Sequence, residues 1–157
     1  LTSGQHTLVF HTRSDFGFLG HYNPHKTSPF NSYYMGGDGN SYYSSSYITE
    51  YIPLRGYENN SLNPDGGGSV FDRYTLEVRQ PIIESGAATF WVLGFLEGGN
   101  CWSDITEFQP FKMYNSAGLG VRFFMPMFGL IGVDWGYGFD GANGGSHFHF
   151  SIGQSID

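Results

Sequence analysis

The chain has 157 residues, a net charge of −7, 24 glycines, and a composition that is 18% aromatic but only 13% charged, against about 25% charged residues in typical soluble domains. The negative charge argues against a nucleic-acid partner, which requires a basic face, and the single cysteine, Cys101, excludes an internal disulfide and a cysteine-rich zinc site. No stretch reaches the roughly 20 apolar residues of a membrane helix, whereas abundant aromatics, abundant glycine and few charges are compatible with a transmembrane β-barrel.

Six segments are predicted to be strands, because apolar residues tend to alternate with polar or small residues along them. In chain order they are 6–16, 71–80, 88–97, 116–124, 130–139 and 146–153. Pro81 is expected to end the second strand, because proline withholds a hydrogen-bond donor from the strand ladder. The third segment is apolar on both sides until Glu97, so its sequence does not decide which side faces inward.

The last three predicted strands share an inverted pattern, with bulky apolar residues on one side and glycine, histidine or charged residues on the other. The bulky sides carry Ala117, Leu119, Val121 and Phe123; Ile131, Val133, Trp135, Tyr137 and Phe139; and Phe148, Phe150 and Ile152. A soluble sandwich is an alternative, but its outer face would need solubilising side chains, and glycines serve that purpose poorly. In a membrane barrel the bulky side meets lipid and the small, polar side faces a water-filled lumen.

The connections between the predicted strands differ greatly in length. Residues 125–129 and 140–145 are short, whereas 17–70 is a long segment rich in Gly, Asn, Ser, Tyr and Pro, without a predicted element. Bacterial barrels alternate short turns on one side with long loops on the other. Six strands cannot close a membrane barrel, whose minimum is about eight, and an open edge in lipid would leave backbone groups unsatisfied. We therefore expect a piece of a larger barrel.

Six motifs occur in an order that resembles the C-terminal half of the barrel of the Omp85 superfamily, in its BamA-type, Bacteroidetes-like form. They are MGGDG at 35–39, LRGYENNSLNP at 54–64, YTLEVRQP at 74–81, FLEGGNCW at 95–102, SAGLGVRFFMP at 116–126 and FHFSIG at 148–153. The resemblance implies that 1–157 form about six strands of a roughly sixteen-stranded antiparallel transmembrane β-barrel of the bacterial outer membrane. It makes 17–70 the long extracellular loop that folds inward, and implies that the periplasmic POTRA modules and early strands are absent from the chain. The ending GQSID departs from the family's terminal aromatic residue.

The resemblance also assigns a role to a lone cation in the long loop. Arg55, Gly56 and Tyr57 match the family's loop-tip motif, and we expect Arg55 to reach into the lumen and pair with Glu77, Glu97 or both. A guanidinium fork suits two carboxylate acceptors, Gly56 would permit a tight backbone, and Tyr57 would pack against the inner wall. An exposed loop arginine is the alternative.

The function implied by the resemblance is an assembly insertase that performs no covalent chemistry. It would fold and insert nascent outer membrane proteins by opening a lateral seam between its first and last strands, where exposed ladder groups could template a client strand. The last strand is predicted over 146–154, with seam residues His147, Phe148, His149, Phe150, Ser151, Ile152 and Gly153. Outer membrane lipids and accessory assembly lipoproteins are the other implied partners. A TamA-like or two-partner secretion translocation barrel, and a passive pore, are the alternatives.

The sequence offers no convincing catalytic, cofactor or metal site. His147 and His149 could bind a metal, but no carboxylate or cysteine cluster lies at ligand spacing, so a polar lumen face is favoured. Arg122 and Asp134 are expected to form an ion pair rather than to carry out acid–base chemistry. No nucleophile, base and orienting group can be assembled. We therefore expect no cofactor, no metal and no enzymatic activity.

Overall fold

A computed structural model describes residues 7–20, 32–39, 49–85, 88–127, 129–141 and 144–153. Six strands form one antiparallel sheet in the order β1-β4-β5-β6-β7-β8, and β2 and β3 form a parallel pair. The strands are β1 Val9–Phe18, β2 Ser32–Met35, β3 Thr49–Ile52, β4 Val70–Glu84, β5 Thr89–Trp102, β6 Tyr114–Met125, β7 Gly129–Gly138 and β8 Ser146–Ile152. Among these described residues, no helix is long and apolar enough to cross a membrane.

The six-stranded sheet confirms the predicted antiparallel all-β fold. From β4 to β8 each strand pairs with the next one in the chain, and β1 pairs with β4, so the long connection joins two neighbouring strands. The sheet is open, with β1 and β8 at its edges. The prediction that Pro81 ends a strand was wrong, because β4 continues to Glu84 with a shift of register between Pro81 and Ile83. Such an irregularity is one of the few places where a strand tolerates proline.

The connection between β1 and β4 is itself structured, which corrects the prediction that 17–70 contains no element. Strands β2 and β3 have only four residues each, too few for a pattern of alternation to stand out. The connection also supplies most of a buried apolar cluster, which we call the connection core. Its members are Tyr33, Met35, Ile52, Leu54, Tyr57 and Leu62 from the connection, Phe71 from β4 and Cys101 from β5. Residues 21–31 and 40–48 of the predicted loop lie outside the described residues.

We call the side of the six-stranded sheet on which the connection packs the inner face, and the opposite side the outer face. The outer face is apolar and exposed, as predicted for the last three strands. It includes Phe10, Leu76, Leu96, Leu119, Trp135 and Phe148. In β5, whose orientation the sequence left open, Leu93, Phe95 and Glu97 are buried on the inner face, whereas Leu96 is exposed.

The antiparallel pairing places the described strand ends in two groups. The ends that border residues 19–69, 103–113 and 139–145 lie at one end of the sheet, and the ends that border the shorter links 85–88 and 126–128 lie at the other. The predicted last strand is shorter than expected, because β8 ends at Ile152 and Gly153 follows it with a positive φ of 76°. Gly153 therefore lies outside β8; residue 154, also predicted in the strand, lies outside the described residues.

Candidate functional site

The connection carries the sequence Arg55-Gly56-Tyr57, which we call the tip, onto the inner face of the sheet. Just before the tip, Leu54 and Gly37 exchange two backbone hydrogen bonds of 3.0 and 3.1 Å, and Leu54 is fully buried in the connection core. Just after Arg55 and Gly56, Tyr57 forms an isolated antiparallel bridge with Gly144, in the connection between β7 and β8. The tip is thus held at both ends, and its path fixes where the Arg55 side chain can reach.

Arg55 is buried among carboxylates from three strands of the sheet. Its Nη2 lies 2.7 Å from Glu77 Oε1 of β4 and 2.7 Å from Glu97 Oε1 of β5. Glu97 also accepts hydrogen bonds from Arg55 Nε at 3.1 Å and from the Arg55 backbone N–H at 2.9 Å. Nη1 is 3.4 Å from Asp134 Oδ2 of β7. The structure therefore brings Arg55 together with both Glu77 and Glu97, and adds Asp134.

Two further arginines balance the charge of this cluster. Arg79 donates from Nε to the second oxygen of Glu77 at 2.8 Å, and Arg122 donates to both oxygens of Asp134 at 2.7 Å each. Three guanidinium groups thus face three carboxylates, which matters because an uncompensated buried charge is strongly destabilising. The Arg122–Asp134 contact is the ion pair expected from the two neighbouring strands.

The electrostatic environment keeps Arg55 charged. Burial by itself lowers the pKa of the Arg55 guanidinium, but Glu97 first, followed by Asp134 and Glu77, raises that pKa above its ordinary value. The side chain also lies over the ring of Phe95, with Cζ 3.7 Å from the ring centroid, a cation–π geometry. Sequence reasoning missed Phe95, although its position two residues before Glu97 places both on one face of β5.

Gly56 and two glycines of β7 fit against one another. Gly56 has φ of +91°, a conformation that favours glycine, and a Cβ there would lie 2.8 Å from Gly138 N. A Cβ on Gly136 would in turn lie 2.7 Å from Gly56 N, and one on Gly138 would collide with Gly56 O. The expectation that the glycine side faces a water-filled lumen was therefore wrong at Gly136 and Gly138, which make room for the tip backbone.

Tyr57 anchors the end of the tip. Its hydroxyl donates to the Asn115 backbone oxygen at 2.7 Å and accepts from the Asp140 backbone N–H at 3.4 Å, while its ring meets Tyr114 edge-on with centroids 6.0 Å apart. Tyr57 is fully buried. Its place against the inner face is the one that the resemblance implies, and the hydrogen bonds to β6 and to the connection after β7 add a polar anchor.

The predicted seam residues of β8 divide between the two faces. Phe148, Phe150 and Ile152 are exposed on the outer face. On the inner face, His149 is buried and its Nε2 accepts a 3.0 Å hydrogen bond from the Gly56 backbone N–H, while the ring of His147 lies 6.3 Å away, centroid to centroid. Ser151 faces inward beside Gly132, where an added Cβ would meet its hydroxyl. His149 is thus the seam residue that contacts the tip, a role that the sequence did not suggest.

The side chains of the site bind the tip through ion pairs and hydrogen bonds. Within the described ranges, no group of three His, Cys, Asp or Glu side chains is arranged to hold a metal ion. The charged groups instead pair with one another through the three arginines, and the backbone N–H groups of Arg55 and Gly56 donate to Glu97 and His149. This arrangement fixes a loop against five consecutive strands, β4 to β8.

These features define a class of protein: a sheet with an apolar outer face and an inward-folded connection is the arrangement of a β-barrel whose outside meets lipid. The chain matches the Omp85 superfamily domain over residues 1–156. It therefore belongs to the Omp85 superfamily, and the open six-stranded sheet is a part of such a barrel. A comparison with curated proteins finds no match. Membership indicates a function in the insertion of proteins into the outer membrane or in their translocation across it.

Proposed function

We propose that the chain is the C-terminal part of a BamA-type insertase barrel in the bacterial outer membrane, which folds and inserts nascent outer membrane proteins. The observation that carries this proposal is the state of β8. This strand has 7 residues, against 15 in β4, and its inner face accepts a hydrogen bond from the tip through His149. If β8 is the last strand of the barrel, as the family resemblance implies, its N–H and C=O groups can pair with an incoming strand when the seam opens.

The two faces of β8 suit such a seam. Phe148, Phe150 and Ile152 are exposed on the outer face, where a bilayer would accommodate them. The inner face of the same strand contacts the tip through His149. A strand that is short, apolar towards lipid and held from inside can exchange its edge partner while the rest of the sheet stays in place.

The docked tip favours an insertase over a passive pore, because the tip fills space on the inner face of the sheet. Arg55 and Tyr57 are both buried against the sheet, so the connection occupies space that an open channel would leave to water. The function requires no covalent chemistry and no cofactor. Its partners are nascent outer membrane proteins, outer membrane lipids and accessory assembly lipoproteins.

The proposal is tested by photocrosslinking in cells that express an outer membrane barrel client. A photoreactive phenylalanine analogue at Phe150 of β8 should form adducts with the client during its assembly. The matched control is the same analogue at Leu119, which is equally lipid-facing but lies on β6 in the middle of the sheet. Equal adduct yields at the two positions, or none at Phe150, would contradict a client-binding seam at β8.

A disulfide between β8 and the first strand of the closed barrel separates an insertase from a translocation barrel. Cys101 is buried, so it does not compete for the introduced thiols. Locking the seam should stop assembly of barrel clients and reduction should restore it. Continued export of a secreted substrate through the locked barrel, together with normal client assembly, would favour a TamA-like or two-partner secretion function instead.

A further inference from the structure

The tip and the last strand are joined by one hydrogen bond whose chemistry differs from the rest of the site. Gly56 N–H donates to His149 Nε2 at 3.0 Å, between residues 93 positions apart. The strands β4, β5 and β7 hold the tip through carboxylates that pair with the Arg55 guanidinium. The contact with β8 uses an imidazole nitrogen, which accepts a hydrogen bond only while it carries no proton.

This hydrogen bond specifies the protonation state and the tautomer of the His149 imidazole. A neutral histidine has one N–H group and one lone pair, and because Nε2 accepts from Gly56, the proton lies on Nδ1. Protonation would place an N–H group at Nε2 directly opposite the Gly56 N–H. Two donors cannot share a hydrogen bond, and a buried donor left without an acceptor is costly. The contact therefore exists only in the neutral state of His149.

Charged and titratable groups of the neighbouring elements lie close to this imidazole. Asp134 of β7 is its direct partner in strand register, and the ring of His147 lies 6.3 Å away, centroid to centroid. Asp38, after β2, and Arg55 of the tip line the same cavity as His149. Asp134 already binds Arg122 through both oxygens. Whatever the balance of these charges, protonation of His149 removes the acceptor that faces Gly56.

We propose that His149 is the positioning residue that couples the tip to the last strand, and that a proton on His149 releases this coupling. Histidine is the side chain whose ordinary titration falls between about pH 5 and about pH 8, whereas ordinary carboxyl groups titrate at about pH 4, so mild acidification is directed at the β8 contact. The consequence is selective: β8 separates from the tip, and β4 to β7 remain bound to it. The inference rests on the geometry of the tip and is independent of which clients the barrel handles.

Hydrogen exchange at the tip tests the coupling directly. The full natural chain is reconstituted in lipid bilayers, and exchange of the peptide containing Gly56 is followed by mass spectrometry between about pH 8 and about pH 5, corrected for the intrinsic rate. We expect the native protein to lose about tenfold in protection of the Gly56 amide on acidification, the effect of one lost buried hydrogen bond. Protection that does not change with pH would overturn the proton-controlled release.

Three variants separate a positioning role from general packing. His149→Gln keeps an acceptor near the position of Nε2 but does not titrate, so its tip should stay protected at every pH. His149→Phe keeps a ring but removes the acceptor, so its tip should exchange fast at every pH. His147→Gln, on the same strand and face, should behave as the native protein does. A pH response that survives in His149→Gln, or disappears in His147→Gln, would assign the effect to another group and overturn the proposal.

Discussion

The connection and the sheet distribute their side chains in opposite ways. The connection, which sequence alone describes as a polar loop, contributes six of the eight residues of the connection core and buries Arg55 in a charged cluster. The sheet, which would form the core of a soluble protein, turns Leu119, Trp135 and Phe148 outward and leaves them exposed. In this protein the connection supplies most of the buried core, and the sheet separates that core from the exposed apolar outer face.

This contrast shows where stability should be concentrated. A side chain in the connection is surrounded by protein, so its removal leaves a cavity or an unpaired charge. A side chain on the outer face of a membrane barrel faces lipid. When it is shortened, lipid chains can fill the space that it leaves. Matched pairs of substitutions, one in the connection and one on the sheet, should therefore give unequal losses in the free energy of unfolding.

The largest difference is expected for arginine. Arg55→Met should lower the free energy of unfolding in lipid bilayers by about 4 kcal/mol, because it leaves the Glu97 carboxylate buried without its arginine partner. Arg13→Met is the control: Arg13 pairs with Asp15 but is half exposed, and such pairs are worth at most about 1 kcal/mol. Adding Glu97→Gln to Arg55→Met should restore more stability than adding Glu77→Gln, because Glu77 keeps Arg79. Equal losses in the free energy of unfolding for Arg55→Met and Arg13→Met would contradict the expected difference between the connection and the sheet.

A smaller difference is expected for leucine. Leu54→Ala should cost about 3 kcal/mol in urea unfolding of the bilayer-reconstituted protein, because Leu54 is fully buried and its loss creates a cavity. Leu119→Ala, on the outer face, should cost less than half as much, since lipid can occupy the vacated space. If Leu119→Ala were the more damaging change, the outer face would be packed against protein rather than lipid.

The smallest difference is expected for tyrosine. Tyr57→Phe removes the hydroxyl that bonds Asn115 O at 2.7 Å and should cost about 1 kcal/mol, the value of one buried hydrogen bond. Tyr137→Phe, at an exposed position of the outer face, should leave the unfolding midpoint almost unchanged. A neutral Tyr57→Phe would show that the ring, and not the hydroxyl, holds the end of the tip.

The six-stranded sheet was predictable because period-two alternation is a local signal. The outward direction of Leu119, Trp135 and Phe148 follows from that pattern, whereas the antiparallel barrel arrangement was predicted from the family resemblance. The short parallel strands β2 and β3 were not predictable, because four residues carry too little periodicity. The effect of Pro81 was misjudged because a change of register accommodates it, and this depends on the neighbouring strand rather than on the residue.

The residues of the site were likewise predictable only in part, because several of their contacts join residues that are distant in sequence. The resemblance to a family motif indicated Arg55 and proposed Glu77 and Glu97 as its partners. Phe95 and His149 were missed as tip contacts because each acquires its role from a residue 40 or more positions away in sequence: Arg55 lies over Phe95, and Gly56 donates to His149. Likewise, the glycines of β7 give no sign in the sequence that the space above them is filled by Gly56.

The spacing of the tip's hydrogen bonds along the chain has a consequence for the order of folding. Its hydrogen-bond partners lie 22, 42, 58, 83 and 93 residues away, at Glu77, Glu97, Asn115, Asp140 and His149. Contacts between distant residues form slowly, because each requires closure of a long loop. The bond to His149 spans the greatest separation and requires β8 to be in place beside β7. The tip therefore makes its complete set of contacts only when every strand from β4 to β8 is in position.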